Sequence, residues 1–143
     1  MRHILLIEDN PLNQAVIEDL FLYDNLPGEL VCADNAEEGL RILPSLDPLV
    51  ILMDLMLPGM SGIEATKIIK SDPATKDIPV WAISARRTRF DVSDALAAGC
   101  DGYFTKPVAA KQLVEQLRVL EDGEIRNLIH QTVGPTNEHN LAH

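Results

Sequence analysis

Five polar side chains follow apolar segments of this chain in a way that would bring them together. Glu8 and Asp9 come directly after the apolar run "ILLI", and Asp54 comes directly after "LVILM". Ser84 ends the segment "VWAIS", and Lys106 ends "GYFTK". Runs of four or five such apolar residues are typical of strands buried on both faces. If these runs form one parallel sheet, their last residues share the edge at which ligands bind in open α/β sheets.

Such a set of side chains could carry out phosphoryl chemistry. Oxygen atoms from two or three carboxylates suit Mg²⁺, which usually keeps several waters. A carboxylate such as Asp54 can attack phosphorus and form an aspartyl phosphate. Lys106 and the metal ion would neutralise the oxygens of the transferring group. The Ser84 hydroxyl would hydrogen-bond the new phosphoryl.

The adjacent acids Glu8 and Asp9 need a separate explanation. Asp9 or Asn10 could cap a helix whose first residue is Pro11, but a cap explains only one of the two carboxylates. Two like charges at one point are tolerated more easily when a cation lies between them. The pair therefore favours a cation site.

The elements that would position these residues alternate along the chain. Strands are predicted at 4–7, 30–33, 49–53, 80–84 and within "GYFTKP". Helices are predicted at 12–23, 36–43, 61–70, 89–99 and 109–120, with caps at Asn35 and Ser61 and a terminating glycine at Gly99. The first helix has apolar residues at helical spacing: Leu12, Val16, Leu20 and Tyr23. The (βα)5 order predicts an α/β fold, a doubly wound parallel five-stranded sheet with helices on both faces.

Composition sets limits on function. The 143 residues suit one domain with a full-sized core, predicted at 1–120, followed by a short extension at 121–143 with one helix at 124–130 and a loose tail. The net charge of −10 argues against nucleic acid as a direct partner. No segment has the length of a membrane span or the pattern of a signal peptide, so we expect a cytoplasmic protein with reduced thiols at its two cysteines.

Taken together and in order, five motifs resemble the receiver domain of response regulators in two-component and phosphorelay signalling. They are "LLIEDNPLN", "ILMDLMLPGMSG", the "SA" after the fourth strand, "ALAAGCDGYFTKP" and the closing amphipathic helix. The resemblance spans about residues 2–120. It implies a flavodoxin-like fold with strand order 2-1-3-4-5, in a stand-alone receiver.

The same resemblance implies a role for each pocket residue. Asp54 resembles the phosphoaccepting aspartate, and Asp9 and Asp54 resemble direct Mg²⁺ ligands. Glu8 is expected to act on the metal mainly through water. Met56 is expected to offer its backbone carbonyl to the ion. Lys106 resembles the family's invariant lysine.

Further expectations concern the switch and its rate. Ser84 stands at the family's threonine or serine switch, and Tyr103 stands at its aromatic switch. The Lys106–Pro107 peptide bond is expected to be cis. Met56 and Arg86 occupy positions that tune phosphorylation and dephosphorylation rates in this family. Because the Met56 side chain has no group that could position a hydrolytic water, the sequence favours a phosphoryl that is held or passed on.

The expected partners also follow from the resemblance. The phosphodonor would be a phosphohistidine on a histidine kinase or a histidine phosphotransfer protein. Output would go to a downstream protein target or a second phosphotransfer protein, and a homodimer is a further option. Such a phosphoprotein is not an enzyme acting on other substrates, because it catalyses only its own phosphorylation and dephosphorylation.

Three other functions stay open from the residues. A phosphatase of the haloacid-dehalogenase type needs a second acid two residues after its nucleophile, where this chain has Met56. A flavodoxin-like cofactor binder needs a hydroxyl- and glycine-rich phosphate loop, whereas "EDNPLN" would repel phosphate. A pseudo-receiver would be a binding module that is never phosphorylated, although every expected pocket residue is present.

Overall fold

The computed structural model describes residues 2–26 and 28–125 of the chain. Strands and helices alternate throughout these residues. The strands are β1 (His3–Ile7), β2 (Glu29–Ala33), β3 (Pro48–Asp54), β4 (Val80–Ser84) and β5 (Gly102–Thr105). The helices are α1 (Pro11–Tyr23), α2 (Ala36–Ile42), α3 (Gly62–Ser71), α4 (Arg89–Ala98) and α5 (Ala110–Ile125), with a 3-10 turn at Leu43–Ser45.

All neighbouring strands in the sheet are parallel, in the order β2-β1-β3-β4-β5. This confirms the predicted doubly wound fold and its strand order. The register aligns the carboxyl ends of the strands, since Ile7 pairs with Met53, Asp54 pairs with Ile83, and Ser84 pairs with Thr105. The residues at the carboxyl ends of β1, β3, β4 and β5 therefore meet at one edge of the sheet.

Two apolar layers cover the two faces of the sheet. One layer joins Ile4, Leu6 and Leu52 to Leu113 and Leu117 of α5. The other layer holds the alternate strand residues and the inner faces of α2, α3 and α4. Because successive strand residues point to opposite faces, both sets must be apolar, and the strands read as unbroken apolar runs.

Capping residues account for most helix boundaries. Asn10 accepts hydrogen bonds from the backbone N–H groups of Leu12 and Asn13, and Pro11 opens α1. The predicted caps Asn35 and Ser61 begin α2 and α3, and Gly99 ends α4 in the left-handed region at φ 110°. No helix in the described part of the chain is both long and apolar enough to cross a membrane.

The apolar stripe that the sequence indicated on α1 is not the face that packs on the sheet, except at Leu20. Leu12, Val16 and Tyr23 are exposed at 77%, 52% and 80%, whereas Ile17 is buried. Leu20 is partly buried beside it. Two apolar stripes lie side by side on this helix, so periodicity could not decide which one packs on the sheet.

The last helix also differs from its predicted bounds. It was predicted at 109–120 and extends instead to Ile125. Most of the predicted tail helix at 124–130 and all of the later tail lie outside the described residues.

Trp81 packs in the core against Phe104, with ring centroids 5.5 Å apart.

Candidate functional site

The two acids after β1 have different environments. Glu8 is only 3% exposed, and its Oε2 accepts a hydrogen bond from the backbone N–H of Asn10 at 3.1 Å. Asp9 is exposed at the surface of the edge. One carboxylate is thus buried at the edge of the sheet and its neighbour is exposed to solvent, because successive residues along a strand point in opposite directions.

Asp54 is the last residue of β3 and is 2% exposed. Its Oδ1 accepts a hydrogen bond from the backbone N–H of Met56 at 2.9 Å. One oxygen from each of Glu8, Asp9 and Asp54 lies within 4.8 Å of the others. The structure therefore brings together the three carboxylates that the sequence singled out.

Lys106 faces the two buried acids from the end of β5. Its Nζ lies 2.8 Å from Glu8 Oε1 and 3.0 Å from Asp54 Oδ2. Its backbone N–H donates to the Ser84 carbonyl at 2.8 Å, which ties the end of β5 to the end of β4. The following Lys106–Pro107 peptide bond is cis.

Burial and pairing shift the pKa values of two of these groups. Burial raises the pKa of the Glu8 carboxyl, and the hydrogen bond from Lys106 offsets only part of this effect. Burial would lower the pKa of the Lys106 ammonium, but hydrogen bonds to Glu8 and Asp54 outweigh it and raise the pKa. Lys106 is therefore a fixed positive charge at neutral pH.

The donor set fits a hard divalent cation. When all three carboxylates are ionised, they and the Lys106 ammonium leave two negative charges in excess at this edge. Exposed Asp9 keeps one side of the group open to water, which suits an ion that retains part of its hydration. Glu8, Asp9 and Asp54 are thus the residues that could hold Mg²⁺.

A second group of contacts lies beside the acids, in the loop after β4. Ser84 is 1% exposed, and its Oγ accepts a hydrogen bond from the backbone N–H of Arg86 at 3.1 Å. The hydroxyl of Tyr103, a buried residue of β5, donates to the carbonyl of the same Arg86. Both sequence-predicted switch residues therefore hold one peptide segment, while the Arg86 side chain is exposed.

Sequence reasoning missed Gln14, which supports the acidic edge from α1. Its side-chain N–H group donates to the Glu8 carbonyl at 2.6 Å and to Asp34 Oδ1 at 2.9 Å. These bonds link the end of β1 to the loop after β2. The sequence offered one indication of this role, which is that Gln14 lies six residues after Glu8, near the start of α1.

Comparison with known proteins agrees with this geometry. Residues 4–118 match the family described as the response regulator receiver domain. The chain is 32% identical over 117 residues to the polar-differentiation response regulator DivK of Brucella anthropi, a match that covers 82% of this chain and 94% of that protein. This chain therefore belongs to the response regulator receiver family.

Solved structures show the same relationship. A co-crystal structure of the Saccharomyces cerevisiae histidine phosphotransfer protein Ypd1 and the receiver domain of Ssk1 contains a chain 30% identical to this one. The TM-score is 0.76, over 90% of this chain and 92% of that chain. The receiver domain of a DNA binding response regulator from Colwellia psychrerythraea is 31% identical, with a TM-score of 0.74, over 85% of this chain and 99% of that one.

Proposed function

We propose that this receiver accepts a phosphoryl group on Asp54 and signals by the change that follows. The observation that carries the proposal is the approach of Lys106 Nζ to both Glu8 Oε1 and Asp54 Oδ2, at 2.8 and 3.0 Å. A nucleophilic carboxylate, a fixed positive charge and two further carboxylates for a cation then share one edge of the sheet.

The transfer step can be written for this set of residues. A carboxylate oxygen of Asp54 forms a bond to phosphorus while the N–P bond of a phosphohistidine donor breaks. The bonding pair leaves with the imidazole, which accepts a proton. Lys106, already hydrogen-bonded to Asp54, would neutralise charge on the phosphoryl oxygens, while Glu8 and Asp9 orient the cation. Bound Mg²⁺ would supply the remaining positive charge that this transfer needs.

The contacts around Arg86 suggest how phosphorylation would reach the surface. The Ser84 hydroxyl would turn to hydrogen-bond the phosphoryl, so the Arg86 N–H would lose its present acceptor. Because the Tyr103 hydroxyl holds the Arg86 carbonyl, the loop and the ring would move together. Output would then pass through the surface of α4, β5 and α5 to a partner protein.

The surface next to the site supports contact with a phosphodonor protein. Leu12 and Val16 of α1 are exposed at 77% and 52%, and Val16 lines a small cavity with Glu8, Lys106 and Pro107. An exposed apolar strip beside a phosphoryl site suits a docking helix of a histidine kinase or phosphotransfer protein. The Ypd1–Ssk1 co-crystal is a precedent for such a pair.

Two side chains would tune the lifetime of the aspartyl phosphate. Met56 is 52% exposed beside Asp54 and has no acid or base with which to position a hydrolytic water. We propose that its carbonyl contributes to the cation site and that the phosphoryl is held or passed on. Arg86 would add positive charge at the rim, and Arg86→Ala should change the phosphoryl lifetime if it does.

The test is the intact mass of the protein after incubation with acetyl phosphate, with and without Mg²⁺. The wild type should gain one phosphoryl only with Mg²⁺, and Asp54→Asn should gain none. Asp101→Asn, which changes the charge equally at the opposite edge of the sheet, should label as the wild type does. Labelling of Asp54→Asn would reject Asp54 as acceptor. Absence of labelling in the wild type, with Mg²⁺ still bound, would instead favour a pseudo-receiver.

A further inference from the structure

A basic and aromatic segment lies between β4 and α4. Residues 85–90 form a stretch in which every residue is exposed. We call residues 85–90 the arginine segment, because they include Arg86, Arg87 and Arg89, together with Phe90. Three of the twelve basic residues of a chain with net charge −10 are thus concentrated within four positions.

The three arginine side chains have no hydrogen-bonding or ion-pairing partner among the described residues. The nearest acid in sequence, Asp91, is taken up by the cap of α4, where its carboxylate accepts hydrogen bonds from the hydroxyl and the N–H of Thr88. The local pairing with Asp91 that would neutralise the segment does not form.

The position of the segment is also unfavourable for helix stability. Arg89 is the first residue of α4, and Arg86 and Arg87 precede it, so all three lie at the positive end of the helix dipole. A helix start normally favours acidic residues there. The capping box of Thr88 and Asp91 offsets this unfavourable charge, so the arginines themselves do not stabilise the helix start.

Phe90 adds an apolar anchor to the same segment. It is 82% exposed, the largest exposed fraction among the bulky apolar side chains that the structure describes. It follows Arg89 directly on the first turn of α4. An exposed aromatic ring that follows three arginines within four positions matches the enrichment of aromatic residues and arginine at protein interfaces.

The charges of the chain select the kind of partner. A long polyanion such as DNA would extend beyond the segment and meet the acidic remainder of the protein, which repels it. A protein surface with a few carboxylates around an apolar pocket would contact only the arginine segment. Screening limits the repulsion from distant charges for such a compact contact.

We propose that the arginine segment is a docking site for a protein partner whose surface presents carboxylates around an apolar pocket that receives Phe90. The inference deepens the proposed signalling function by naming the chemistry of a partner. The segment is joined to the edge of the sheet that carries Asp54, because the backbone of Arg86 contacts both Ser84 and Tyr103. Partner affinity and the position of this loop would therefore be coupled in both directions.

The test uses unphosphorylated full-length protein, so its failure is distinct from a failure of phosphoryl transfer. The probe is a short fluorescein-labelled helical peptide with glutamate and leucine on one face, and its twin has glutamine for every glutamate. We expect the glutamate peptide to bind at low ionic strength, and Arg87→Gln/Arg89→Gln to weaken binding roughly three- to ten-fold. Phe90→Ser should weaken it about ten-fold.

The matched control is Arg41→Gln/Lys67→Gln, which removes the same charge from exposed positions outside the segment. It should bind the glutamate peptide as the wild type does, and backbone amide shifts on binding should concentrate at 85–91. The proposal would be overturned if both double variants weakened binding of the glutamate peptide equally. It would also be overturned if the wild type bound the glutamine peptide as tightly as the glutamate peptide, or bound neither. Tighter binding of a single-stranded DNA oligonucleotide would also overturn it, in favour of nucleic acid.

Discussion

Two lysines at opposite edges of the sheet make contrasting contacts. At the carboxyl edge, Lys106 Nζ contacts two carboxylates, Glu8 and Asp54, with exposed Asp9 close by. At the amino edge, Lys70 Nζ contacts one carboxylate, Asp101 at 2.9 Å, and two backbone carbonyls, at 2.7 and 3.1 Å. The side chains are similarly shielded, with exposed fractions of 21% and 18%.

The difference lies in the balance of charge. Around Lys70 the one carboxylate is matched, and Asp101 Oδ2 also accepts a hydrogen bond from the backbone N–H of Val80 at 2.9 Å. These bonds join the end of α3, the loop before β4 and the start of β5, so the group is structural. Around Lys106 negative charge is in excess, as the proposed cation site requires.

The largest expected difference is in phosphoryl transfer. Lys106→Met should slow labelling by acetyl phosphate roughly 100-fold, because the positive charge on the phosphoryl oxygens is lost. Lys70→Met should leave the rate within about two-fold, since its ammonium lies at the other edge. Initial rates from intact mass, with circular dichroism to confirm folding, would check this. Similar slowing in both variants would mean that the two lysines do not differ in function.

Magnesium should distinguish the two edges next. At ten times its dissociation constant, Mg²⁺ should add about 1.4 kcal/mol to the free energy of unfolding of the wild type. Asp101→Asn should keep this gain, while Asp9→Asn should lose most of it because a carboxylate ligand is gone. Urea unfolding with and without MgCl2 would measure both. A full gain in Asp9→Asn would place the ion elsewhere.

In the absence of Mg²⁺, removing a negative charge should change the free energy of unfolding in opposite directions at the two edges. Asp54→Asn removes one of three converging negative charges and should stabilise the fold by about 1 kcal/mol. Asp101→Asn breaks a matched pair and should destabilise it by about 1 kcal/mol or less, because Asp101 is partly exposed. Thermal or urea unfolding at neutral pH would show the signs. Destabilisation by both substitutions would remove the proposed excess of charge.

The smallest effect should be a pH dependence at the carboxyl edge. Because the pKa of Glu8 is raised by burial, its contribution to stability is present below the ordinary value of 4.5 and is lost as pH rises through the raised pKa. Glu8→Gln lacks this titration, so its stability relative to the wild type should increase with pH over that interval. Parallel unfolding series in a chelating buffer would check the trend. A difference in free energy of unfolding between the two proteins that stays constant with pH would contradict the prediction.

The site was predictable because its residues end strands. Glu8, Asp54, Ser84 and Lys106 each lie at the carboxyl end of a strand. Because the strands of a parallel sheet all run in one direction, these residues must lie at the same edge. The packing face of α1 was not predictable in the same way. Two apolar stripes compete on this helix, and only its fit against the sheet selects Ile17 over Val16.

The sequence by itself determined the alternation of strands and helices, the helix caps and the residues of the acidic edge, since each depends on neighbours along the chain. Tertiary structure alone decided the contacts between distant segments. Lys106 and Asp54 are 52 positions apart, and Lys70 and Asp101 are 31 apart. Whether a charge is matched, in excess or unused depends on distances in space. Only the folded chain therefore separates Lys106, which contacts two carboxylates, from Lys70, which contacts one, and leaves the arginine segment without a partner within the described domain.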